Sequence, residues 1–298
     1  MTAELVLGTA NFGLRYGIAN NRMLSQREAF VILEKALDVG VCWVDTARAY
    51  GEAEKVLGRF FRARGKLFDV VTKLPDAEYR SAEDVEMQIN KSLETMGIDQ
   101  IDVLLLHSFT SLDRFKEVLL PVLEQYVSEG LVGRYGLSVY HPHEVETALA
   151  MSREDGFHIA AIQFPLNLFD QRFLKGDLLQ RLRASGITLY ARSVFLQGLF
   201  FMGGASLAGH LVEAEPKIRH LATLARMHDI SVEGLALLFA ISSGVDYVVL
   251  GVDSVAQLGR DATLMAVDTN HVLPKLKTRF DMLEVPDEDI ILPYRWKQ

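Results

Sequence analysis

The chain has 298 residues, of which 49% are hydrophobic, and carries a formal charge of −8. Such a composition can bury a large core and excludes a disordered chain, while the negative charge excludes the basic face of an ordinary nucleic-acid binder. No stretch approaches the ~18 apolar residues of a membrane-spanning helix, so no membrane partner is expected. The start Met1-Thr2-Ala3-Glu4 lacks the basic-then-apolar pattern of an export signal. Cys42 is the single cysteine, so no intrachain disulfide can form. Within the apolar run Val41–Val44 it is expected to be a buried, inert thiol, and a reducing cytoplasm is the expected location.

In chain order, short apolar runs alternate with longer segments of helical period. Leu5–Leu7, Val41–Val44, Asp69–Thr72, Ile101–Leu106, Val132–Leu137, Ile159–Ile162, Ile187–Tyr190 and Tyr247–Leu250 read as strands. Between them Gln26–Val39, Ala53–Phe61, Ala82–Met96, Leu112–Val127, Pro142–Met151, Lys175–Ala184 and Val232–Ile241 read as amphipathic helices. Ser25, Ser81 and Ser231 stand at helix N-caps, the first with Glu28 three residues on as a capping box. Gly40, Gly97, Gly130 and Gly186 each precede a strand, as left-handed helix-ending residues do. Two segments break the rhythm: a long connection Phe195–Glu215 with an added helix Ala214–Met227, and a final stretch Asn270–Gln298 with a helix and a proline-punctuated tail.

Eight strands with intervening helices predict an α/β fold, a (β/α)8 TIM barrel with extra helices after strand seven and at the C-terminus. One domain over residues 1–298 is expected, with the tail 270–298 capping the barrel mouth. An open dinucleotide-binding sheet would need G-x-G-x-x-G after the first strand, where Gly8-Thr9-Ala10-Asn11-Phe12-Gly13 stands instead.

Catalytic groups of such a barrel come from the C-terminal ends of its strands. Asp45 ends strand two and Tyr50 follows it; Lys73 ends strand three and His107 ends strand four. Taken singly, Asp45 is an N-cap, Tyr50 a packing residue, Lys73 a solvated strand end and His107 a core imidazole. Their joint placement on three consecutive strands points instead to proton transfer. A phenol of pKa ~10 is a poor acid at neutral pH, and a nearby ammonium is expected to lower that value. Asp45 would hold Lys73 by an ion pair, and His107 would donate to a carbonyl oxygen. Such a site has no nucleophile of its own for carbonyl reduction, so the reducing equivalent must come from a cofactor. The eight histidines form no H-E-x-x-H pattern, and His141 and His143 flank Pro142 in an expected loop, so no metal site is predicted.

Asp45-x4-Tyr50-Gly51, Lys73 after Val70-Val71-Thr72, and Leu104-Leu105-Leu106-His107 together resemble the aldo-keto reductases. So do Gly136-Leu137-Ser138, Gln163-Phe164-Pro165-Leu166-Asn167, Gln197-Gly198-Leu199, and Gly251 through Gln257-Leu258. The resemblance implies a barrel that binds NADP(H), less often NAD(H), and reduces an aldehyde or ketone to an alcohol. It makes Tyr50 the general acid, tuned by Asp45 and Lys73, with His107 orienting the carbonyl. Ser138 and Gln163 would hold the nicotinamide carboxamide. The remaining cofactor contacts would come from Thr9, Asp45, Arg192, Ser193, Phe195, Gln197, Gly251, Asp253, Gln257 and Asp261.

The pattern departs from the family at four places. Val139, not Asn, follows Ser138. Arg192 stands where an aromatic residue usually stacks on the nicotinamide, unless an alternative alignment restores Tyr190. Asp253 stands where NADP-preferring members carry a cation, which makes NAD(H) possible, but with Arg260 one helical turn beyond Gln257 offering a positive charge the resemblance still favours NADP(H) slightly. Finally, Leu5 already begins strand one, so the barrel floor must be covered otherwise than by the usual N-terminal hairpin.

For the substrate, Phe12, Tyr16 and Phe109 are expected as apolar walls, with Asn11, Arg15 and Arg48 addressing hydroxyl or acidic groups. The segment Leu7–Asn20 resembles bacterial members linked to sugar and polysaccharide metabolism, so a small carbonyl compound, a sugar among them, is the expected partner. Two other readings stand beside reduction: a Lys73 Schiff-base aldolase on the same barrel, and a nicotinamide-nucleotide-binding regulatory protein with little turnover.

Overall fold

The computed structural model describes residues 3–203, 206–266, 276 and 279–296. Its strands are β1 (Glu4–Gly8), β2 (Trp43–Asp45), β3 (Asp69–Leu74), β4 (Ile101–Leu106), β5 (Val132–Ser138), β6 (Ala161–Pro165), β7 (Thr188–Arg192) and β8 (Tyr247–Gly251). They close in sequence order, each parallel to the next, and β8 returns to β1 from Tyr247 beside Glu4 to Gly251 beside Gly8. Residues 270–275, 277–278 and 297–298 of the expected C-terminal helix and tail lie outside the described residues. Among the described residues no helix is long and apolar enough to cross a membrane.

Local chemistry sets the helix boundaries. The Ser25 hydroxyl accepts from the Glu28 N–H while the Glu28 carboxylate accepts from the Ser25 N–H at 2.9 Å, which closes the capping box of Gln26–Asp38. The Asp84 carboxylate accepts from the Ser81 N–H at 3.1 Å, and the Ser231 hydroxyl accepts from the Gly234 N–H at 2.9 Å. A further helix, Val255–Met265, follows β8 and starts from Ser254, whose side chain accepts from the Gln257 N–H. Its buried face, Leu258, Asp261 and Met265, carries a carboxylate between two apolar residues, which weakens the periodic signal in the sequence. Cys42 is exposed, contrary to expectation, because β2 begins only at Trp43 and Cys42 lies in the irregular connection before it.

A strand's side chains alternate with period two, and that alternation builds the barrel interior in layers. Val6, Val71, Val103, Leu105, Ala161, Tyr190 and Val249 form a cluster separate from the larger core between sheet and helices. Towards the N-terminal ends of the strands, Tyr190 stacks on Tyr247 at 4.7 Å, Trp43 packs on Tyr247 at 5.4 Å, and Arg134 donates to the Tyr190 hydroxyl at 3.3 Å. These side chains fill the floor from within. Two residues further along their strands, Asp45, Lys73, Gln163 and Arg192 occupy the layer towards the mouth.

Candidate active site

Asp45, the last residue of β2, and Lys73 in β3 are 3% and 1% exposed. The Lys73 ammonium donates to both Asp45 carboxylate oxygens, at 2.6 and 2.8 Å, and to the Thr46 carbonyl at 2.9 Å. An ammonium carries three N–H donors, and all three are used. Gln163 from β6 donates to Asp45 Oδ2 at 2.7 Å, so the carboxylate is compensated from two sides. Thr9 donates from its hydroxyl and its N–H to the Asp45 carbonyl, each at 2.9 Å, and fixes the backbone at this point.

Tyr50 lies over this pair, with the Lys73 nitrogen 5.2 Å from its ring centre. Its ring meets the His107 imidazole edge-on, centroids 5.8 Å apart. The loop carrying Tyr50 is seated against the turn Ala10–Gly13: a Cβ on Gly13 would overlap the Tyr50 carbonyl, and Gly51 adopts a left-handed φ of 57°. Burial pushes the Tyr50 phenol up from its ordinary value, the Asp45 charge adds to that, and Arg192 opposes it. The expected lowering by Lys73 is therefore not the net result, because Lys73 is already committed to Asp45 and desolvation outweighs the remaining field.

Burial pushes the His107 imidazole down from 6.5 to about 3, with the Lys73 and Arg192 charges adding to it. His107 is consequently neutral through the physiological range and able to donate one hydrogen bond. Linkage follows in sign: between the two values the unfolded chain binds a proton that the folded chain refuses, so stability is full above about 6.5 and is lost as pH falls toward 3. Chemical denaturation of wild type should therefore show a steeper acid loss than His107→Gln, by up to about 1.4 kcal/mol per pH unit. Parallel profiles would show that His107 titrates normally in the folded protein.

These groups open onto a cavity of about 710 Å³. Of the expected cofactor residues, Thr9, Asp45, Ser138, Gln163, Arg192, Ser193, Phe195, Gln197, Gly251, Asp253 and Gln257 line it, and so do Asn11 and Tyr16. Asp261 does not. It is fully buried, and desolvation, with Glu233 adding to it, pushes its carboxyl above the ordinary carboxylate range. Arg48 also turns away: its guanidinium pairs at 3.1 Å with Glu54, a buried carboxylate that accepts from Thr72 and Ser92 as well. A buried charge needs a counter-ion, and Arg48 is the cation in reach. Phe109 begins the helix Phe109–Ser128 and packs on the main core rather than lining the cavity.

Tyr190 and Arg192 both face inward from β7, at different depths. Tyr190 is fully buried in the barrel floor, whereas Arg192 lies one layer nearer the mouth and lines the cavity. The Arg192 guanidinium stacks on the Tyr140 ring at 4.2 Å and donates to the Val139 carbonyl at 3.1 Å. Tyr140, two residues beyond the end of β5, also lines the cavity, a site residue the sequence reading missed. Glu233 and Pro293 line the cavity too, from distant segments without a motif of their own, and Asn20 does so from the end of the segment Leu7–Asn20. Asn11 and Asn20 donate to the two Asp253 carboxylate oxygens at 3.1 and 2.7 Å, and Ile18 N–H donates to the Gln197 carbonyl at 3.0 Å. The segment after β1 is thereby tied to the segments after β7 and β8. In the β7 segment, Ser193, Leu196 and Gln197 all hold positive φ, a strained backbone of the kind that clusters at functional loops.

Among the described residues no group of three His, Cys, Asp or Glu is placed to hold a metal ion. Comparison with known proteins agrees with the architecture and extends it. The family model described as the Aldo/keto reductase family matches residues 4–271. The chain is similar to the D-threo-aldose 1-dehydrogenase of Pseudomonas sp, at 27% identity covering 89% of this chain and 93% of that protein. It is also similar to the L-galactose dehydrogenase of Arabidopsis thaliana, at 25% identity over 79% of this chain and 77% of that one. The solved aldo-keto reductase AKR11C1 from Bacillus halodurans, in its holo form, shares the fold with a TM-score of 0.75 at 18% identity, covering 99% and 96% of the two chains. A closed eight-strand barrel, a strand-end acid–phenol–ammonium–imidazole set and a family match across most of the sequence converge: this chain belongs to the aldo/keto reductase family of oxidoreductases.

Proposed function

We propose that the protein reduces an aldehyde or ketone to its alcohol with a nicotinamide nucleotide, Tyr50 supplying the proton. The observation that carries this is the buried Asp45–Lys73 pair beneath Tyr50, with neutral His107 beside it. The cavity suits the cofactor at one diagnostic atom. Gln163 spends its amide N–H on Asp45, leaving its carbonyl Oε1 buried without a partner at the cavity wall. A carboxamide N–H of the nicotinamide would satisfy it, with Ser138 beside it in register on β5.

Bound reduced nicotinamide supplies the hydride. The protein's part is to hold the carbonyl oxygen between the Tyr50 hydroxyl and His107, which donates a hydrogen bond and stays uncharged. As negative charge builds on that oxygen, Tyr50 passes its proton to it, and the Lys73 ammonium below stabilises the phenolate left behind. Asp45 keeps Lys73 charged in a site where burial pushes the amine down. We take the tail residues near Pro293 to close the mouth over the substrate.

At the β8 end of the rim the charges that would meet the cofactor's adenosine end oppose one another. Asp253 is held by Asn11 and Asn20, and Arg260 lies 3.5 Å from Glu233. The family resemblance favours NADP(H) and the local carboxylates favour NAD(H). Glu233→Gln should release Arg260 for a 2′-phosphate and raise the NADPH-to-NADH affinity ratio about fivefold, as expected for one exposed ion pair. Fluorescence titration with both nucleotides measures it, and an unchanged ratio would remove the pair from cofactor choice.

The aldolase reading meets a structural objection. Lys73 does not line the cavity, and its three hydrogen bonds leave no free amine for a Schiff base. The direct test of reduction is loss of reduced-nicotinamide absorbance with a panel of aldehydes, ketones and aldoses. Nucleotide binding without any turnover across the panel would favour the regulatory reading instead.

A further inference from the structure

The charges that line the cavity are not all paired. Asp45 is compensated by Lys73, Glu233 has Arg260, and Asp253 is held by the Asn11 and Asn20 amides rather than by a cation. Arg192 has no carboxylate within ion-pair distance among the described residues, although it lines the same cavity as Tyr50 and His107. One flat face of its guanidinium rests on Tyr140 at 4.2 Å. Its edge donates to the Val139 carbonyl at 3.1 Å and more weakly to the Ser193 hydroxyl at 3.4 Å. A guanidinium has five N–H donors, so donors remain without a protein acceptor.

Holding such a cation here is costly unless something answers it. Its charge bears on the reacting groups: it opposes the upward shift of Tyr50 and adds to the downward shift of His107. Tyr140 and the Val139 carbonyl fix the group in one orientation, and Tyr140 is itself braced by Tyr294 with ring centroids 4.6 Å apart. A rigid, partly buried guanidinium with free N–H groups is the arrangement proteins use for carboxylates and phosphates, which it can engage by two parallel hydrogen bonds.

We infer that Arg192, oriented by Tyr140 and Val139, is a specificity-determining residue that selects carbonyl substrates bearing an anionic group, a carboxylate or a phosphate. The inference rests on the reductase reading for the reaction, but the anion site can be measured apart from it. The unpaired guanidinium makes its own part of the cavity a poorer match for neutral carbonyl compounds of equal size. His107, being uncharged, neither competes for the anion nor supplies a second cation.

The test compares substrates that differ only in charge. 4-Carboxybenzaldehyde is set against 4-carbamoylbenzaldehyde, and glyceraldehyde 3-phosphate against glyceraldehyde, with wild type, Arg192→Gln and Arg192→Lys. Wild type should prefer the anionic member of at least one pair in kcat/KM, and the pair that responds identifies carboxylate or phosphate. Arg192→Gln should collapse that preference about ten- to hundredfold, the range for one charge-assisted interaction, mainly through KM. Arg192→Lys should keep part of it. Equal use of both members, or a preference that survives Arg192→Gln, overturns the inference. Calorimetry with 4-(hydroxymethyl)benzoate and its amide reads the anion site without turnover. Tighter binding of the benzoate, lost in Arg192→Gln, supports the inference even if no aldehyde is reduced. Equal binding of the two overturns it, whereas absence of reduction alone counts against the reductase reading.

Discussion

Lys73→Met should abolish carbonyl reduction and destabilise the fold by about 3–5 kcal/mol, the usual cost of removing one partner from a buried ion pair. Both effects have one origin. Asp45 is 3% exposed and would keep a charge answered only by the Gln163 amide. Tyr50 would then face an uncompensated carboxylate, which disfavours the phenolate and makes it a weaker acid. The double variant Asp45→Asn/Lys73→Met separates the two consequences. Removing both charges should restore most of the lost stability, because no ion is left unpaired, yet activity should stay absent for want of the ammonium. Urea denaturation and steady-state kinetics on the two variants measure this. A double variant as unstable as Lys73→Met would mean that the pair acts through packing rather than charge.

Tyr50→Phe should lower turnover by about two to four orders of magnitude, the range of general acid–base catalysis by one positioned side chain. The ring keeps its edge contact with His107 and its place over Lys73, since neither uses the hydroxyl. Nicotinamide-nucleotide binding should therefore change little. The signature is a fall in kcat with fluorescence-titrated cofactor affinity retained. A variant with near wild-type turnover would move the proton to another donor, and His107 is a poor candidate because burial keeps its imidazole uncharged at neutral pH.

The parts of this molecule legible in the sequence were those governed by local periodicity. Ala82–Met96 and Ile101–Leu106 fall where their spacing puts them, and Asp45, Lys73 and His107 follow from lying at or near strand ends. Less legible were properties decided across the barrel. Arg48 looked like a substrate contact because its loop faces the mouth, but the buried Glu54 carboxylate claims it. Asp261 looked like a cofactor contact, yet it is buried against Glu233 from another helix. The direction of the Tyr50 shift depends on how fully Lys73 is spent on Asp45, which no spacing reveals. Tyr140 becomes informative through Arg192, fifty-two residues later, whose guanidinium rests on its ring at the cavity wall. The barrel floor likewise needed the three-dimensional meeting of Trp43, Tyr190 and Tyr247.

Direct transfer of hydride to a substrate carbonyl, with proton donation by Tyr50, is tested most directly by the fate of an isotope. The protein is given reduced cofactor with deuterium in both hydrogens at nicotinamide C4, and the alcohol formed is analysed by mass spectrometry. One deuterium on the former carbonyl carbon, together with no borohydride-trapped adduct on Lys73, is the expected result. An alcohol without deuterium, or a substrate covalently attached to Lys73, would contradict it.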